Sequence, residues 1–112
     1  MMHELGLCTS IVDAIEVRAA ERPVARVRVR VGRLNHVHPE AFEQSFTMAA
    51  MGTVAENAAA ELVFLPVIAR CSQCDTSWEG EDMPIACPAC GSVALELLGG
   101  DELVLESIEY QG

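Results

Sequence analysis

The sequence predicts an α+β fold in which two helices pack on a small three-stranded mixed sheet, with a cysteine module inserted between the second and third strands. Three patterns support this prediction: apolar residues at helical spacing near the start, an alternating strand after them, and two Cys-x-x-Cys pairs between residues 71 and 90. A chain of 112 residues has room for one domain with a small attached module. Aromatic residues make up only 4% of the chain, so aliphatic side chains must form its core.

The first two elements are predicted from their apolar periods. Steps of three and four residues predict an amphipathic helix over residues 4–20, which Pro23 ends. Its apolar face consists of Leu5, Cys8, Ile11, Val12, Ile15 and Ala19. On that face, Cys8 is expected to be a small buried hydrophobe. Alternation over residues 24–31 predicts a strand whose buried face consists of Ala25, Val27, Val29 and Val31. Its opposite face is expected to be a solvated or ion-paired surface rather than a binding stripe, and it consists of Arg26, Arg28 and Arg30.

The remaining elements lead into and out of the cysteine module. Pro39, at a first helical position, predicts a second helix that ends near Gly52. Strands are predicted at residues 61–70, interrupted at Pro66, and then at residues 95–98 and 102–110 around a glycine pair. The expected organisation is an α/β domain at residues 1–70, completed by a strand within residues 99–112, with the inserted module at residues 71–98.

Negative charge is concentrated in the C-terminal part of the chain. Residues 71–112 contain nine acidic residues and no basic residue, whereas residues 1–39 contain six arginines and four acids. The whole chain has a formal net charge of −10 and no lysine. Nucleic-acid binding depends on neutralising phosphates with Lys and Arg, so this distribution argues against that function. It suits a basic protein partner or cations better.

The sequence contains no recognisable targeting or membrane signal. No segment reaches the roughly 18 consecutive apolar residues expected of a membrane helix. The first residues lack a basic region and include Glu4, which is unlike a secretory signal. We therefore expect no membrane association and a cytoplasmic location. Cysteines are reduced there, so paired cysteines are expected to be metal ligands rather than disulfides.

Two Cys-x-x-Cys pairs, Cys71 with Cys74 and Cys87 with Cys90, are the strongest signal in the chain. Each pair can direct two thiolates at one ion, and the four together suit a tetrahedral structural zinc with bonds of ~2.3 Å. The module is therefore predicted to be a zinc ribbon, with iron in a rubredoxin-like site as the alternative. Four thiolates leave no open position for a substrate, which argues against a catalytic metal.

A second candidate metal site lies at the N-terminus. An α-amine, backbone amides and an imidazole near the terminus can surround a metal in a plane, and square-planar nitrogen sets favour Cu(II) or Ni(II). His3 supplies the imidazole. Glu4 supplies a neighbouring carboxylate, or is simply an acid favoured in the first helical turn. Translation from Met1 makes this histidine the third residue and translation from Met2 the second, and the sequence is compatible with both.

Four further segments complete the pattern: Met2-His3-Glu4-Leu5, Val31-Gly32-Arg33-Leu34, Val37-His38-Pro39-Glu40-Ala41-Phe42 and Gly52-Thr53-Val54-Ala55-Glu56. With the two cysteine pairs, they resemble the HypA/HybF hydrogenase nickel-incorporation family over essentially the whole chain. The combination of a terminal Met-His-Glu with a C-terminal zinc module is the specific part of the resemblance. Met1 departs from the family pattern, because it displaces the α-amine by one residue.

The resemblance implies a nickel metallochaperone for the maturation of [NiFe]-hydrogenase, and in some members of urease. It implies nickel binding at the N-terminus, where His3 and Glu4 match family positions and Met2 matches the family's first residue. It also implies structural zinc on Cys71, Cys74, Cys87 and Cys90. The partners implied are a nickel-handling maturation GTPase and the hydrogenase large subunit.

Several alternatives remain open at this point. His36 and His38 are either additional nickel ligands or exposed loop residues beside a helix start. A zinc-ribbon adaptor that carries no nickel is the second function considered, and its partner binding would survive loss of His3. An enzyme is not expected, because the sequence offers no convincing nucleophile–base pair, phosphate loop or His/carboxylate zinc triad. The chain is expected to be a monomer or a homodimer.

Overall fold

The order of helices and strands follows the sequence prediction, with two strands more than expected. A computed structural model describes residues 2–112. Within them lie helices α1 (Met2–Ala19) and α2 (Pro39–Ala50), a 3-10 turn (Arg33–Asn35), and strands β1 (Val24–Gly32), β2 (Ala59–Leu65), β3 (Val67–Cys71), β4 (Ser77–Gly80), β5 (Leu95–Gly99) and β6 (Leu103–Tyr110). The strands form two three-stranded sheets with the orders β2-β1-β6 and β4-β3-β5. The predicted α+β fold, with two helices, a small mixed sheet and an inserted four-cysteine module, is confirmed.

The chain divides into two compact units. The helical unit comprises the chain up to Arg30 together with residues 37–63 and 104–112. The cysteine unit comprises residues 31–36 and 64–103. Both helices therefore belong to the first unit, and both Cys-x-x-Cys pairs belong to the second. The expected organisation, with residues 1–70 and 99–112 as one folding domain and 71–98 as another, stays a prediction.

In the helical unit, α1 and α2 pack against each other through apolar faces. From α1, the buried side chains are Cys8, Ile11, Val12, Ile15 and Ala19. From α2, Phe42 and Phe46 are buried and stack with their ring centroids 6.1 Å apart. Each such large apolar side chain contributes roughly 1.5–3 kcal/mol on burial. Neither helix in the described part of the chain is long and apolar enough to cross a membrane.

Ion pairs cover the exposed side of the central strand β1. The Nε atom of Arg28 lies 3.1 Å from Glu61 of β2, and its Nη1 atom lies 3.6 Å from Glu106 of β6. The prediction of an ion-paired surface is therefore confirmed. Exposed pairs contribute only about 0–1 kcal/mol each. The other pairs on this face are Arg26 with Glu61, Arg26 with Glu109, and Arg30 with Glu106.

Two details of the strands differ from the sequence prediction. Val24 is buried and Ala25 is exposed, so the predicted burial of Ala25 is wrong. The N–H of Val24 donates to the Val54 carbonyl at 2.9 Å, which holds the first residue of β1 out of the alternation. The predicted strand at residues 61–70 is two strands that belong to different sheets. Pro66 lies between them and cannot donate to a ladder, so the first pairing stops there.

The sheet of the cysteine unit is centred on β3, which pairs antiparallel with both β4 and β5. The register places Arg70 opposite Ser77 and Glu96, and its guanidinium donates to the Glu96 carboxylate at 3.0 Å. The strand β4 was not predicted from the sequence, because its four residues show no apolar alternation. The unit is thus a small three-stranded scaffold that presents the cysteine pairs.

Candidate metal centres

The two cysteine pairs occupy two copies of the same turn. The N–H of Asp75 donates to the Cys71 carbonyl at 2.9 Å, and the N–H of Gly91 donates to the Cys87 carbonyl at 2.9 Å. The two donors have left-handed φ angles of 61° and 76°. In addition, the N–H groups of Cys71 and Cys87 donate to the carbonyl five residues later, at 2.9 and 2.8 Å. Each turn is therefore closed by its own main-chain hydrogen bonds, which do not involve a metal ion.

The turns bring four sulfur atoms together. All four Sγ atoms lie within 4.8 Å of one another. The distance is 3.6 Å between Cys71 and Cys90, and also 3.6 Å between Cys74 and Cys87. A tetrahedron with metal–sulfur bonds of ~2.3 Å has edges of about 3.8 Å, so this spacing fits one tetrahedral ion. Among the described residues, no other His, Cys, Asp or Glu side chains form such a group of three or more.

Main-chain donors face the first sulfur of each pair. The N–H of Gln73 donates to Cys71 Sγ at 3.4 Å, and the N–H of Ala89 donates to Cys87 Sγ at 3.3 Å. Such bonds orient metal-binding thiolates and offset part of their charge. The first cysteine of each pair is also buried, whereas the second is exposed. The centre therefore has two protected sulfur atoms and two that face solvent.

The two exposed cysteines differ in their electrostatics. The Sγ atom of Cys74 lies 3.2 Å from the Thr76 hydroxyl oxygen. Hydrogen bonds with this hydroxyl and with the Thr76 main chain lower the pKa of Cys74 to about 6, which favours the thiolate. For Cys90, a hydrogen bond from the Ser92 main chain lowers the pKa, but bonds with neighbouring thiols, Cys71 first, and desolvation outweigh it and raise the pKa to about 12. Four clustered thiolates repel one another, so full deprotonation requires a bound cation.

Hydroxyl residues form hydrogen bonds around the centre that were not predicted from the sequence. Ser72 Oγ donates to the Ala94 carbonyl at 2.7 Å, and the Ser72 N–H donates to the same oxygen at 3.0 Å. Ser72 therefore ties the first turn to the chain that follows the second. The available signal was a hydroxyl residue two positions after each pair, namely Thr76 and Ser92.

The two predicted nickel ligands both lie in the first turn of α1 but differ in exposure. His3 is exposed, whereas Glu4 is only 3% exposed. An acid in this turn interacts favourably with the helix dipole, as the sequence suggested. The choice between Met1 and Met2 as first residue, and with it the position of the α-amine, lies outside the described residues. His3 is thus the accessible one of the two side chains.

The other candidate histidines lie on the surface. His36 ends the 3-10 turn in a left-handed conformation, and His38 directly precedes Pro39 at the start of α2. Both are exposed. Neither belongs to a group of three or more ligand side chains in the part of the chain that the structure describes. Their proposed role as additional nickel ligands therefore stays a prediction.

Cys8 lies apart from the cysteine pairs and is fully buried in the helical unit. Its Sγ donates to the Phe42 carbonyl at 3.5 Å. Burial, and then the negative charge of Glu4, raise the pKa of Cys8 to about 12. The thiol therefore stays protonated at neutral pH, and the prediction of a small buried hydrophobe is confirmed.

Known proteins resemble this chain along nearly its whole length. The family described as "Hydrogenase/urease nickel incorporation, metallochaperone, hypA" matches residues 2–110. Hydrogenase maturation factor HypA 1 of Bradyrhizobium diazoefficiens is 39% identical over 111 residues, covering 96% of this chain and 98% of the relative. Hydrogenase maturation factor HypA of Desulfitobacterium hafniense is 34% identical over 113 residues, covering 98% and 99%.

Solved structures agree with the fold. The solution structure of the Ni metallochaperone HypA from Helicobacter pylori matches with a TM-score of 0.67 and 22% identity, covering 96% of each chain. A second match, titled "Solution structure of HypA protein", has a TM-score of 0.69. The family match, the curated relatives and the four-cysteine centre lead to one conclusion: this chain belongs to the HypA family of hydrogenase/urease nickel-incorporation metallochaperones.

Proposed function

We propose that this chain binds Ni(II) at its N-terminus and delivers it for the maturation of [NiFe]-hydrogenase, while its cysteine centre holds a structural zinc. The family match over residues 2–110 is the observation that supports this proposal most strongly. The family description also names urease, which we propose as a second destination for the nickel. The proposed nickel ligands are His3 and Glu4. The proposed zinc ligands are Cys71, Cys74, Cys87 and Cys90.

The sulfur geometry supports a structural rather than a catalytic metal. Four cysteines within 4.8 Å fill a tetrahedral coordination sphere and leave no open position. Zinc would supply charge balance and a covalent-like link between the two turns, without redox chemistry. Iron fits the same tetrahedron, and the absorption spectrum separates the two, since a zinc centre is colourless.

The position of His3 suits reversible binding of nickel. Its imidazole is exposed at the start of α1, where an ion from solvent can reach it. The positive end of a helix dipole disfavours a cation, and the carboxylate of Glu4 offsets this effect. A site of this kind holds an ion without trapping it, which a delivery protein requires. Protons compete for the imidazole and the α-amine, so acid should release the nickel.

The proposed role is delivery without catalysis, in the cytoplasm and with no contact to membrane or nucleic acid. We propose a nickel-handling GTPase and the hydrogenase large subunit as partners. The acidic C-terminal part, with nine acids and no base in residues 71–112, suits a partner with a basic surface. Sedimentation of the metal-loaded protein distinguishes a monomer from a homodimer.

Metal counting tests the proposal. Untagged protein with a verified N-terminus is equilibrated with excess nickel, freed of unbound metal by gel filtration, and analysed by mass spectrometry, beside the variants H3A and H36A. We expect about one zinc in all three proteins, and about one nickel in the parent and in H36A only. Equal nickel in the parent and H3A would contradict the N-terminal site. A chain that starts at Met2 is measured in parallel, because the α-amine then lies one residue nearer to His3.

A zinc-ribbon adaptor is the alternative, and exposed apolar side chains in the cysteine unit favour it. Ile85 is 88% exposed and Val93 is 78% exposed, so both offer aliphatic surface that a protein partner could cover. This reading predicts that neither the parent nor the Met2-start chain retains nickel. It also predicts that capture of the maturation partners is unchanged by H3A.

A further inference from the structure

The two cysteine turns have the same main chain but use their hydroxyl residues differently. Thr76 and Ser92 are equivalent, each lying two residues after the second cysteine of its pair. The Thr76 hydroxyl oxygen lies 3.2 Å from Cys74 Sγ. The Ser92 hydroxyl instead accepts a hydrogen bond from the Ala94 N–H at 3.0 Å. Among the described residues, no hydroxyl forms a hydrogen bond with Cys90 Sγ.

Only two of the four cysteines are exposed to reagents in solution. Cys71 and Cys87 are buried, with 0% and 4% of their surface accessible. Their sulfur atoms also accept the main-chain hydrogen bonds described above. Cys74 and Cys90 are both exposed. A small reagent in solution therefore meets one exposed sulfur with a hydroxyl partner and one without.

The hydroxyl matters because a metal-bound sulfur carries no proton. Once Cys74 is a thiolate ligand, its sulfur has no proton to donate, so the Thr76 hydroxyl must be the donor of their hydrogen bond. This bond draws electron density from the sulfur. Attack on an electrophile removes the charge and weakens that hydrogen bond. A hydrogen bond to a charged group is strong enough that its weakening slows attack by about tenfold. Cys90 is not subject to this restraint.

We propose that Cys90 is the most reactive ligand of the four-cysteine centre and the site where soft alkylating electrophiles first modify it. This inference rests on the proposed zinc centre. With iodoacetamide, the lone pair of the Cys90 sulfur forms the S–C bond and iodide leaves with the bonding electrons. The product is a neutral thioether, and the metal loses one of its four anionic ligands. The centre therefore opens from its second turn.

Peptide mapping of the zinc-loaded chain tests this assignment. Zinc is counted first, limiting iodoacetamide is added, and quenched samples are digested with a glutamate-specific protease. Cleavage after Glu79 and Glu81 separates the two cysteine pairs, and fragment ions then separate the cysteines within each pair. Trypsin is unsuitable, because no basic residue follows Arg70.

We expect Cys90 to be alkylated about tenfold faster than Cys74, with the buried pair slowest. The variant T76V should raise the rate at Cys74 to that of Cys90. The matched variant S92A should leave both rates unchanged, since that hydroxyl bonds with the Ala94 N–H and forms no hydrogen bond with either sulfur. All three proteins keep the four ligands, and the zinc count verifies that each centre is formed.

Two results would overturn the inference, and they are distinguishable. If about one zinc is present and Cys74 reacts as fast as Cys90, the hydroxyl does not control reactivity. If the purified chain contains no zinc and all four thiols react at similar rates, the proposed zinc centre itself is wrong, and this inference falls with it.

Discussion

Removal of the proposed zinc is expected to unfold the cysteine unit while the helical unit stays folded. The two units differ in how much apolar surface they bury. In the cysteine unit, the buried aliphatic side chains are Val31, Val67 and Ala69. In the helical unit, the larger buried side chains are Ile11, Val12, Ile15, Val24, Val27, Val29, Phe42 and Phe46. The smaller unit is therefore expected to depend on a bound metal, whereas the larger one is not.

Estimated free energies support this difference between the two units. Burial of the three aliphatic side chains contributes on the order of 5 kcal/mol to the cysteine unit. Binding of a structural zinc to a four-ligand site contributes about 10–16 kcal/mol at neutral pH. Loss of the metal thus removes the largest stabilising contribution to this unit.

Two spectroscopic probes separate the units. Trp78 is the only tryptophan of the chain, and it lies in the cysteine unit. Both helices lie in the helical unit, so circular dichroism at about 222 nm reports on that unit. On addition of a strong zinc chelator, we expect Trp78 emission to shift to the red while the helical signal changes little. The control is the same chelator already saturated with zinc.

Either of two results would refute this reasoning. Loss of helical signal in step with the Trp78 shift would mean that one cooperative transition covers the whole chain. Unchanged Trp78 emission, after mass spectrometry has confirmed that the zinc is gone, would mean that the sheet of the cysteine unit is stable without metal. Restoration of the original spectra by added zinc would show that the change is reversible.

Three further predictions concern stability. The variant G32A should lower the free energy of unfolding by about 3 kcal/mol, because the added Cβ would overlap the Gly100 carbonyl. Urea denaturation measures this, and G80A, whose Cβ meets nothing within 4 Å, should change stability by less than about 1 kcal/mol. The variant R28M should lower the free energy of unfolding by about 1 kcal/mol at low ionic strength and by less at about 1 M salt. An equal loss at both salt concentrations would contradict the ion-pair explanation. The pKa of Cys8 is raised from 9.0 to about 12. The neutral thiol therefore makes its full contribution to the free energy of unfolding below pH 9. This contribution is lost between pH 9 and 12, at about 1.4 kcal/mol per pH unit. Denaturation across this range should show a shallower alkaline loss for C8A, and parallel curves would argue against the assignment.

Features encoded by short-range patterns could be predicted from the sequence. The buried face of α1 follows from apolar steps of three and four residues, and the ion-paired face of β1 follows from its alternating arginines. The four-cysteine centre was predicted from spacing, because a Cys-x-x-Cys turn needs only six residues to form. In each case the predictive pattern is a short stretch of sequence, or two copies of one, and it can be recognised without knowing how the rest of the chain folds.

Features fixed by distant contacts could not be predicted in this way. Burial of Val24 depends on a hydrogen bond with Val54, thirty residues further along the chain. The strand β4 exists because it pairs with β3, and its own four residues give no strand signal. The difference between Thr76 and Ser92 depends on where each hydroxyl finds a partner, and the sequence shows the same residue class at both positions.

Separate closure of the two cysteine turns determines where this chain can change in length. The first turn begins at the last residue of β3, whereas residues 81–86, which precede the second, form neither helix nor strand. Doubling the length of a flexible connection costs only about 0.6 kcal/mol in loop-closure entropy. One residue inserted inside either turn would instead break the hydrogen bond to the carbonyl of its first cysteine, Cys71 or Cys87. Insertions should therefore be tolerated between the two cysteine turns and excluded within them.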